Sequence, residues 1–346
     1  MLLKIEKTKW KNCKEIIMKL MDRNKFLTPY SEYNFLNRIK KATNIHRFFE
    51  AKGFKLICYV VYDENNAILV APLLINKKQQ KIYLLGEFSS VGHLDFIYDV
   101  NLSVKTMKKA LELVFSNYKG YDFKCDRLSQ FSLTKQMFDE EKIDYINRDI
   151  CVKIDLSDYE RWYKSLSKSC RQNIRTSYNR LNRDTAQMTF YLFVFEKPSR
   201  KLWNDNIALF SKRILEHTNR PRLLLRPLIF FKKNEALGKA LYETKNIIFA
   251  SIYINDMLAA SLNGVVGMDG RAIITRLSIE TRMGKYSPGG LILNEVIKSV
   301  CEKYSFIRSI DLPRGNEAYK YTYGGVEHYN YTYRFKIGEK HEDLAN

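Results

Sequence analysis

The chain has 346 residues, 45% hydrophobic and 28% charged, with a formal net charge of +20. These proportions belong to a globular protein with room for more than one core, and they exclude a disordered acidic chain and a small disulfide scaffold. The longest apolar runs, LICYVVY from Leu56 and AILVAPLLI from Ala67, are strand-sized, and the opening MLLKIEKTKWKN has no signal-peptide core. The expectation is a cytoplasmic protein whose surplus of cations favours an anionic partner.

Along the chain, turn formers separate β-branched and aromatic runs, the pattern of hairpins. Strands are predicted over 54–62, 67–75 and 81–86, then a helix over 103–117 and a strand over 121–128. From residue 246 the order returns: strands 246–253, 257–267 and 271–280, the loop TRMGKYSPGG, a helix over 288–304 and a strand over 306–312. In that helix Leu291, Val296, Ile297, Val300 and Cys301 share one face. Two passes through one order predict an α/β (α+β) protein of two related units, 1–155 and 156–346, each a mixed, mostly antiparallel sheet flanked by helices. Helical segments over 158–182, 199–218 and 227–243 connect them. Only the second pass has a glycine-bearing entry to its helix, so the chemistry is assigned there and the first unit to a scaffold or acceptor wall.

Strand 271–280 alternates. Ile273, Thr275, Leu277 and Ile279 are expected on one face, Arg276, Ser278 and Glu280 on the other. Ser261 and Asn263 share a face of the preceding strand. This polar face either lines an acceptor groove, with Arg276, Glu280 and Asn263 binding substrate, or is the solvated side of an antiparallel sheet.

Segment 161–183 holds seven basic residues and no acidic one. Arg161, Lys164, Lys168, Arg171 and Arg175 step by three and four, which predicts one stripe on one helix. It is either a solvated face or an anion-binding surface in which Lys168, Arg171 and Arg175 steer a nucleotide- or lipid-linked sugar, a tRNA or a membrane surface. Arg213, Arg220, Arg222 and Arg226 extend it, and His217 is a further candidate. The six cysteines are scattered, with no C-x-x-C and no Cys/His cluster, so neither a metal nor a disulfide framework is expected. Cys170 has Lys168 and Arg171 beside it, cations that lower a thiol pKa, but no His partner nearby in sequence.

In RMGKYSPGGLILNEV, Ser287 is a good N-cap and Pro288 suits the first helical position. Gly289 and Gly290 let an anion approach the helix N-terminus, and Gly284, Arg282 and Lys285 form the mouth. The reading is a pyrophosphate cradle, against the plainer one that Ser-Pro-Gly also starts helices that bind nothing.

A strand, a glycine-bearing loop and a helix whose N-terminus takes a pyrophosphate resemble the core of the GNAT acyltransferase fold. YSPGGLIL followed by IDLPRGNEAYKYTYGG looks like the GNAT-related CelD/BcsL family found with exopolysaccharide genes. It is similar also to the Fem-type peptidoglycan aminoacyltransferases, which carry two such domains in tandem. The standard loop, Arg/Gln-x-x-Gly-x-Gly/Ala, is altered here, since Arg282 is followed by Gly284 and then Ser-Pro-Gly-Gly. The resemblance implies tandem GNAT-like domains, with acetyl-CoA or another acyl-CoA, and no metal, as donor. It also implies that strand 306–311 parts from 271–280 around the acyl group.

Acyl transfer then needs a base for the nucleophile, donors for the oxyanion and an acid for the leaving group. Tyr319-Lys320 matches an aromatic-Lys pair implicated in Fem-type catalysis, so Lys320 is expected to supply charge. Glu317 or Asp311 serves as base and Tyr319 or Tyr321 as proton donor. The plain alternative is a turn capped by Asp311 with Glu317 and Lys320 as a solvated pair.

Three readings compete. The first is an acyl-CoA-dependent N- or O-acyltransferase acting on an anionic acceptor, a nucleotide- or lipid-linked sugar of an envelope or exported polysaccharide, with peripheral membrane association. The second is a Fem-type enzyme using aminoacyl-tRNA. The third is a basic nucleic-acid-binding module, which lacks any RRM, KH or zinc-finger pattern.

Overall fold

The computed structural model describes residues 2–22, 24–45, 53–89, 91–217, 235 and 237–339. Arg220, Arg222, Arg226, the side chain of His217 and most of the first half of the helix expected over 227–243 lie outside the described residues; 237–243 are helical.

The strands are β1 (Leu3–Thr8), β2 (Lys55–Asp63), β3 (Asn66–Asn76), β4 (Lys81–Leu84), β5 (Ile97–Tyr98), β6 (Asp122–Ser129) and β7 (Tyr145–Asp155). They continue with β8 (Met188–Val194), β9 (Ile247–Ile254), β10 (Met257–Val266), β11 (Arg271–Ile279), β12 (Ser309–Leu312) and β13 (Val326–Lys336). The helices used below are α1 (Lys14–Met21), α2 (Tyr33–Ile45), α3 (Val104–Phe115), α4 (Leu133–Glu140) and α5 (Tyr159–Ser165). After them come α6 (Lys168–Arg183), α7 (Arg200–His217), α8 (Pro288–Lys303) and α9 (Ala318–Thr322).

The chain divides into two compact units, Met1–Asp149 with Tyr329–Asn346, and Ile150–His328. In the first, β1, β2, β3 and β4 pair antiparallel in that order, β4 pairs β6 in parallel and β6 pairs β13 antiparallel. In the second, β8, β9, β10 and β11 pair antiparallel, β11 pairs β12 in parallel and β12 pairs β7 antiparallel. The two orders are the same, a mixed and mostly antiparallel sheet flanked by helices in each unit. Each unit takes its sixth strand from the other half of the sequence. That exchange is why a single cut at 155/156 does not describe the division: residues 329–346 group with the N-terminal stretch.

Local chemistry explains most of the elements. Asn255 and Asp256 both hold positive φ, 47° and 62°, in the two-residue turn joining β9 to β10, as an Asn-Asp pair tolerates. Ser103, Ser132, Asp158 and Ser167 cap α3, α4, α5 and α6 by accepting from a backbone N–H in the first turn. The last of these corrects the single helix expected over 158–182. Leu166 is extended, with ψ 151°, and Ser167 starts a new helix. The basic stripe is therefore split, with Arg161 and Lys164 on α5 and Lys168, Arg171 and Arg175 on α6.

The second unit's sheet has two unlike faces. One is an aliphatic core: Ile248, Ala250 and Ile252 of β9, Ala260 and Leu262 of β10, Ala272 and Ile274 of β11 and Ile310 and Leu312 of β12 pack on Leu291, Val296, Ile297 and Val300 of α8. Trp162, Leu166, Ile174 and Leu181 of the α5–α6 region close this core. The opposite face packs against α7 and carries the polar residues. Among the described residues, no helix is long and apolar enough to cross a membrane.

Candidate active site

Strands β11 and β12 pair at three positions, Arg271↔Ser309, Ala272↔Ile310 and Ile273↔Asp311. Beyond Ile273, β11 runs on to Ile279 while β12 ends at Leu312. The parallel strands thus part at Asp311 and leave β11 an open flank. On β11 the ladder to β10 is interrupted at the same place: Asn263 opposes Arg276 and Gly264 opposes Ile274, so Thr275 is an extra residue. Such a bulge re-aims the backbone, and bulges gather beside active sites. It also corrects the expected alternation. Ala272 and Ile274 lie on the aliphatic face before the bulge and Leu277 and Ile279 pack on it afterwards, so Ile273 does not share a face with Leu277 and Ile279.

At the far end of β11 a 3-10 turn, Thr281–Tyr286, leads into α8. Glu280 accepts from Lys212 Nζ at 2.6 Å and from Arg282 Nε at 3.0 Å. These two cations, Arg282 first, hold its carboxyl down at about 2. Lys285 reaches Asp184 at 3.0 Å, and its carbonyl accepts from Arg180 Nη1 at 2.7 Å. Bonds from Lys285 and Arg183 hold the Asp184 carboxyl at about 2.

Ser287 is the N-cap position, but it adopts φ 51° and its hydroxyl makes no cap bond. Its carbonyl instead accepts from the N–H groups of Gly290 and Leu291 at 2.9 and 3.1 Å. Gly284 has open space where a Cβ would stand, as an anion's approach requires. Gly289 abuts Ile279, so the first turn of α8 sits against the end of β11.

Gly290 answers a different demand, since a Cβ there would meet the Tyr323 hydroxyl. Gly290→Ala is therefore expected to lose about 1–3 kcal/mol by overpacking, and Tyr323→Phe in the same chain is expected to restore most of it. Urea unfolding of the single and double variants checks this.

The α7 face of the sheet is polar and buried, which settles the solvated alternative against. Ser251, Ser261 and Ser278 stand in register across β9, β10 and β11, each 0% exposed. The Asn206 amide of α7 donates to the Ser261 hydroxyl, and Asn263 Nδ2 donates to Asn206 Oδ1 at 2.8 Å. The Arg276 guanidinium lies 4.2 Å from the Phe210 ring centroid, a cation–π contact. Arg213 donates to the Leu277 carbonyl. Asn263, Arg276 and Glu280, expected as substrate residues, do share this face.

The basic residues of α6 are not equivalent. Arg171 donates to the carbonyls of Lys164 and Leu166 and so caps the end of α5. Lys168 and Arg175 are exposed. Burial pushes the Cys170 thiol up, outweighing Arg171, so this cysteine is not activated.

The turn after β12 brings the remaining candidates together. Asp311 is fully buried; His328 Nε2 meets Asp311 Oδ1 at 2.9 Å, and Arg271 Nη1 is 3.4 Å from Oδ2. His328 was not legible beforehand, although HYNYT places His328, Asn330 and Thr332 on one face, and all three are buried. Lys320 is buried and donates to the carbonyls of Leu312, Arg314 and Gly315 beside the Glu317 carboxylate. Burial acts to raise the Glu317 carboxyl, but Lys320, a backbone hydrogen bond and Arg213 together outweigh it and the net direction is down. Tyr319 is exposed on its surface side, with its phenol pushed up by burial and by Glu317. Tyr321 donates to Glu327 at 2.6 Å. Among the described residues no group of three or more His, Cys, Asp or Glu is placed to hold a metal ion.

A mixed sheet with a parting parallel pair, a bulge at the parting and a glycine-bearing helix entry define an acyltransferase architecture. Residues 168–321 match the family model of the Acetyltransferase (GNAT) domain. The chain thus carries a GNAT acyltransferase domain, the match running from α6 into α9. No curated protein matches the sequence.

Among solved structures, FemX aligns with TM-score 0.62 at 10% identity over 96% of this chain and 97% of its own. A tandem GNAT protein from the clavulanic acid biosynthesis pathway aligns with TM-score 0.50 at 8% identity over 98% and 99%. The C-terminal domain (DUF2156) of a putative lysylphosphatidylglycerol synthetase from Agrobacterium fabrum gives 0.53 at 11% identity over 87% and 92%. These likenesses are of fold.

Proposed function

We propose that the second unit transfers an acyl group from an acyl-CoA, acetyl-CoA first among them, to an amine or hydroxyl of a sugar in an envelope or exopolysaccharide precursor. The observation that carries this is the open flank of β11, with its bulge at Thr275, ending against a helix entry surrounded by Arg180, Arg282 and Lys285. Arg282 and Lys285 have exposed side chains, 70% and 61%, paired with Glu280 and Asp184, and an anion at the helix entry would compete for them, while Gly284 leaves room for it. The thioester supplies an activated carbonyl. The acceptor enters at the open flank of β11, backed by Arg276, Asn263 and Glu280 of the buried polar face. Attack is direct, the Asp311–His328 pair or Glu317 taking the acceptor's proton and Tyr319 returning one to the leaving thiolate. The motif likeness to CelD/BcsL proteins supports a sugar acceptor.

A second reading is favoured by the FemX likeness across nearly the whole chain: an aminoacyl-tRNA donor, with the exposed Lys168 and Arg175 of α6 against its phosphates.

Calorimetry with acetyl-CoA tests the first reading. Wild type is expected to bind in the micromolar range, and Arg282→Glu with Lys285→Glu to bind about tenfold more weakly or worse, ~1.4 kcal/mol. No binding to wild type sinks the acetyl-CoA reading and moves the donor to longer acyl-CoAs, then to charged tRNA.

A further inference from the structure

Lys320 is only 2% exposed in the turn that leaves β12. Its Nζ lies 3.0 Å from the Leu312 carbonyl, 2.6 Å from that of Arg314, 2.9 Å from that of Gly315 and 2.8 Å from Glu317 Oε2. An ammonium has three protons and no lone pair. Three carbonyls take those protons and the carboxylate balances the charge, which is the ligand set of a bound monovalent cation.

The turn that points these carbonyls inward is itself strained. Arg314 and Gly315 both have positive φ, 62° and 88°, and a non-glycine residue there costs about 1–3 kcal/mol unless its surroundings impose it. Gly315 has a second constraint, because a Cβ there would meet the Glu317 carboxylate. Without a cation at the centre, three carbonyl dipoles would converge on one another. The turn begins one residue after Asp311, where β11 and β12 part.

We infer that Lys320 is a built-in cation. Its ammonium fills a carbonyl cage and holds the Leu312–Glu317 turn at the mouth of the gap, so it is a positioning residue and does not itself meet the reacting carbonyl. The cage stands on the contacts alone; its consequence for the donor rests on the acyl-CoA reading above. A guanidinium, planar and longer, does not suit three acceptors converging on one point, so the cage selects a primary ammonium.

Hydrogen exchange by mass spectrometry on full-length wild type, Lys320→Met and Lys320→Ala reads the turn directly. In both variants peptides covering 312–320 are expected to exchange about tenfold faster or more, the equivalent of ~1.4 kcal/mol, while peptides of β10 and α8 keep wild-type rates. On the acyl-CoA reading the loosened turn of Lys320→Ala also weakens acetyl-CoA binding, and millimolar n-propylammonium is expected to restore both slow exchange and binding. Tetramethylammonium, a cation with no N–H, is expected to restore neither.

Wild-type exchange rates in Lys320→Met overturn the cage, as does equal rescue by the two ammonium ions. If the variants fail to fold, nitrogen NMR of wild type decides. A caged ammonium gives a slowly exchanging Lys resonance coupled to carbonyl carbons, and its absence overturns the proposal. Exchange that follows these expectations in a protein whose wild type binds no acetyl-CoA leaves the cage standing and rejects the donor reading.

Discussion

An Asp311→Ala variant is expected to lose about 3–5 kcal/mol of stability, the cost of breaking a buried ion pair by removing one partner. Asp311 is fully enclosed, accepts from His328 and faces Arg271, which also pairs with Asp269 at 3.2 Å. Deleting the carboxylate takes a shared partner from two buried groups at once and removes one of the acids that balance the Arg271 guanidinium. Asp311→Asn keeps the shape and should cost less. His328→Gln keeps the carboxylate paired with Arg271 and is expected to stay within about 1 kcal/mol of wild type, the net worth of one hydrogen bond.

The functional arm separates structure from proton transfer. On the reading that Asp311 and His328 handle the acceptor's proton, folded His328→Gln is expected to lose about 100-fold or more in the rate of CoA release with acceptor present. Its acetyl-CoA affinity should be unchanged. Urea unfolding and calorimetry give the two controls. A folded His328→Gln enzyme working near the wild-type rate would remove the imidazole from the chemistry and leave Glu317 as base.

How much of this was readable in advance depends on how local its causes are. The hairpins β2–β3 and β9–β10 were legible because alternation and turn residues sit within a few positions of one another. The helix entry at Pro288 was legible for the same reason. The bulge at Thr275 was not, because it arises across the ladder: Gly264 packs on the Ile273 carbonyl, and nothing in RAIITRLSIE by itself marks the change of face. The exchange of β7 and β13 between the two halves pairs Asp155 with Ser309 and Asp122 with Lys336, separations for which local pattern has no signal.

The break between α5 and α6 had one, the serine at 167, but the three-and-four spacing of the cations runs on across it. In the turn after β12 the residue types were legible but their geometry was not. In sequence Lys320 reads as a catalytic cation or as a solvated partner of Glu317; the pair is there, but only the fold shows Lys320 buried with its protons committed to three carbonyls.

The bulge carries the second large expectation, Gly264→Ala. A Cβ at Gly264 would run into the carbonyl oxygen and carbon of Ile273 and the Cα of Ile274. All three are backbone atoms, so no side chain can rotate aside and β11 itself must shift. The displaced residues lie where β12 leaves, since Ile273 is the last partner of the parallel pair and faces Asp311. The expected result is a stability loss of about 3 kcal/mol, the upper end for inserting one methyl into a packed site, with acetyl-CoA binding weakened about tenfold or more. Gly284→Ala is the matched control: nothing lies within 4 Å of a Cβ there, and stability should stay within about 0.5 kcal/mol. Should Gly264→Ala bind acetyl-CoA as wild type does while losing the stability, the bulge would be a packing device and the donor would owe its place to the helix entry. Weakened binding in step with the stability loss, in a variant shown folded by its α8 exchange rates, places the donor along the open flank of β11.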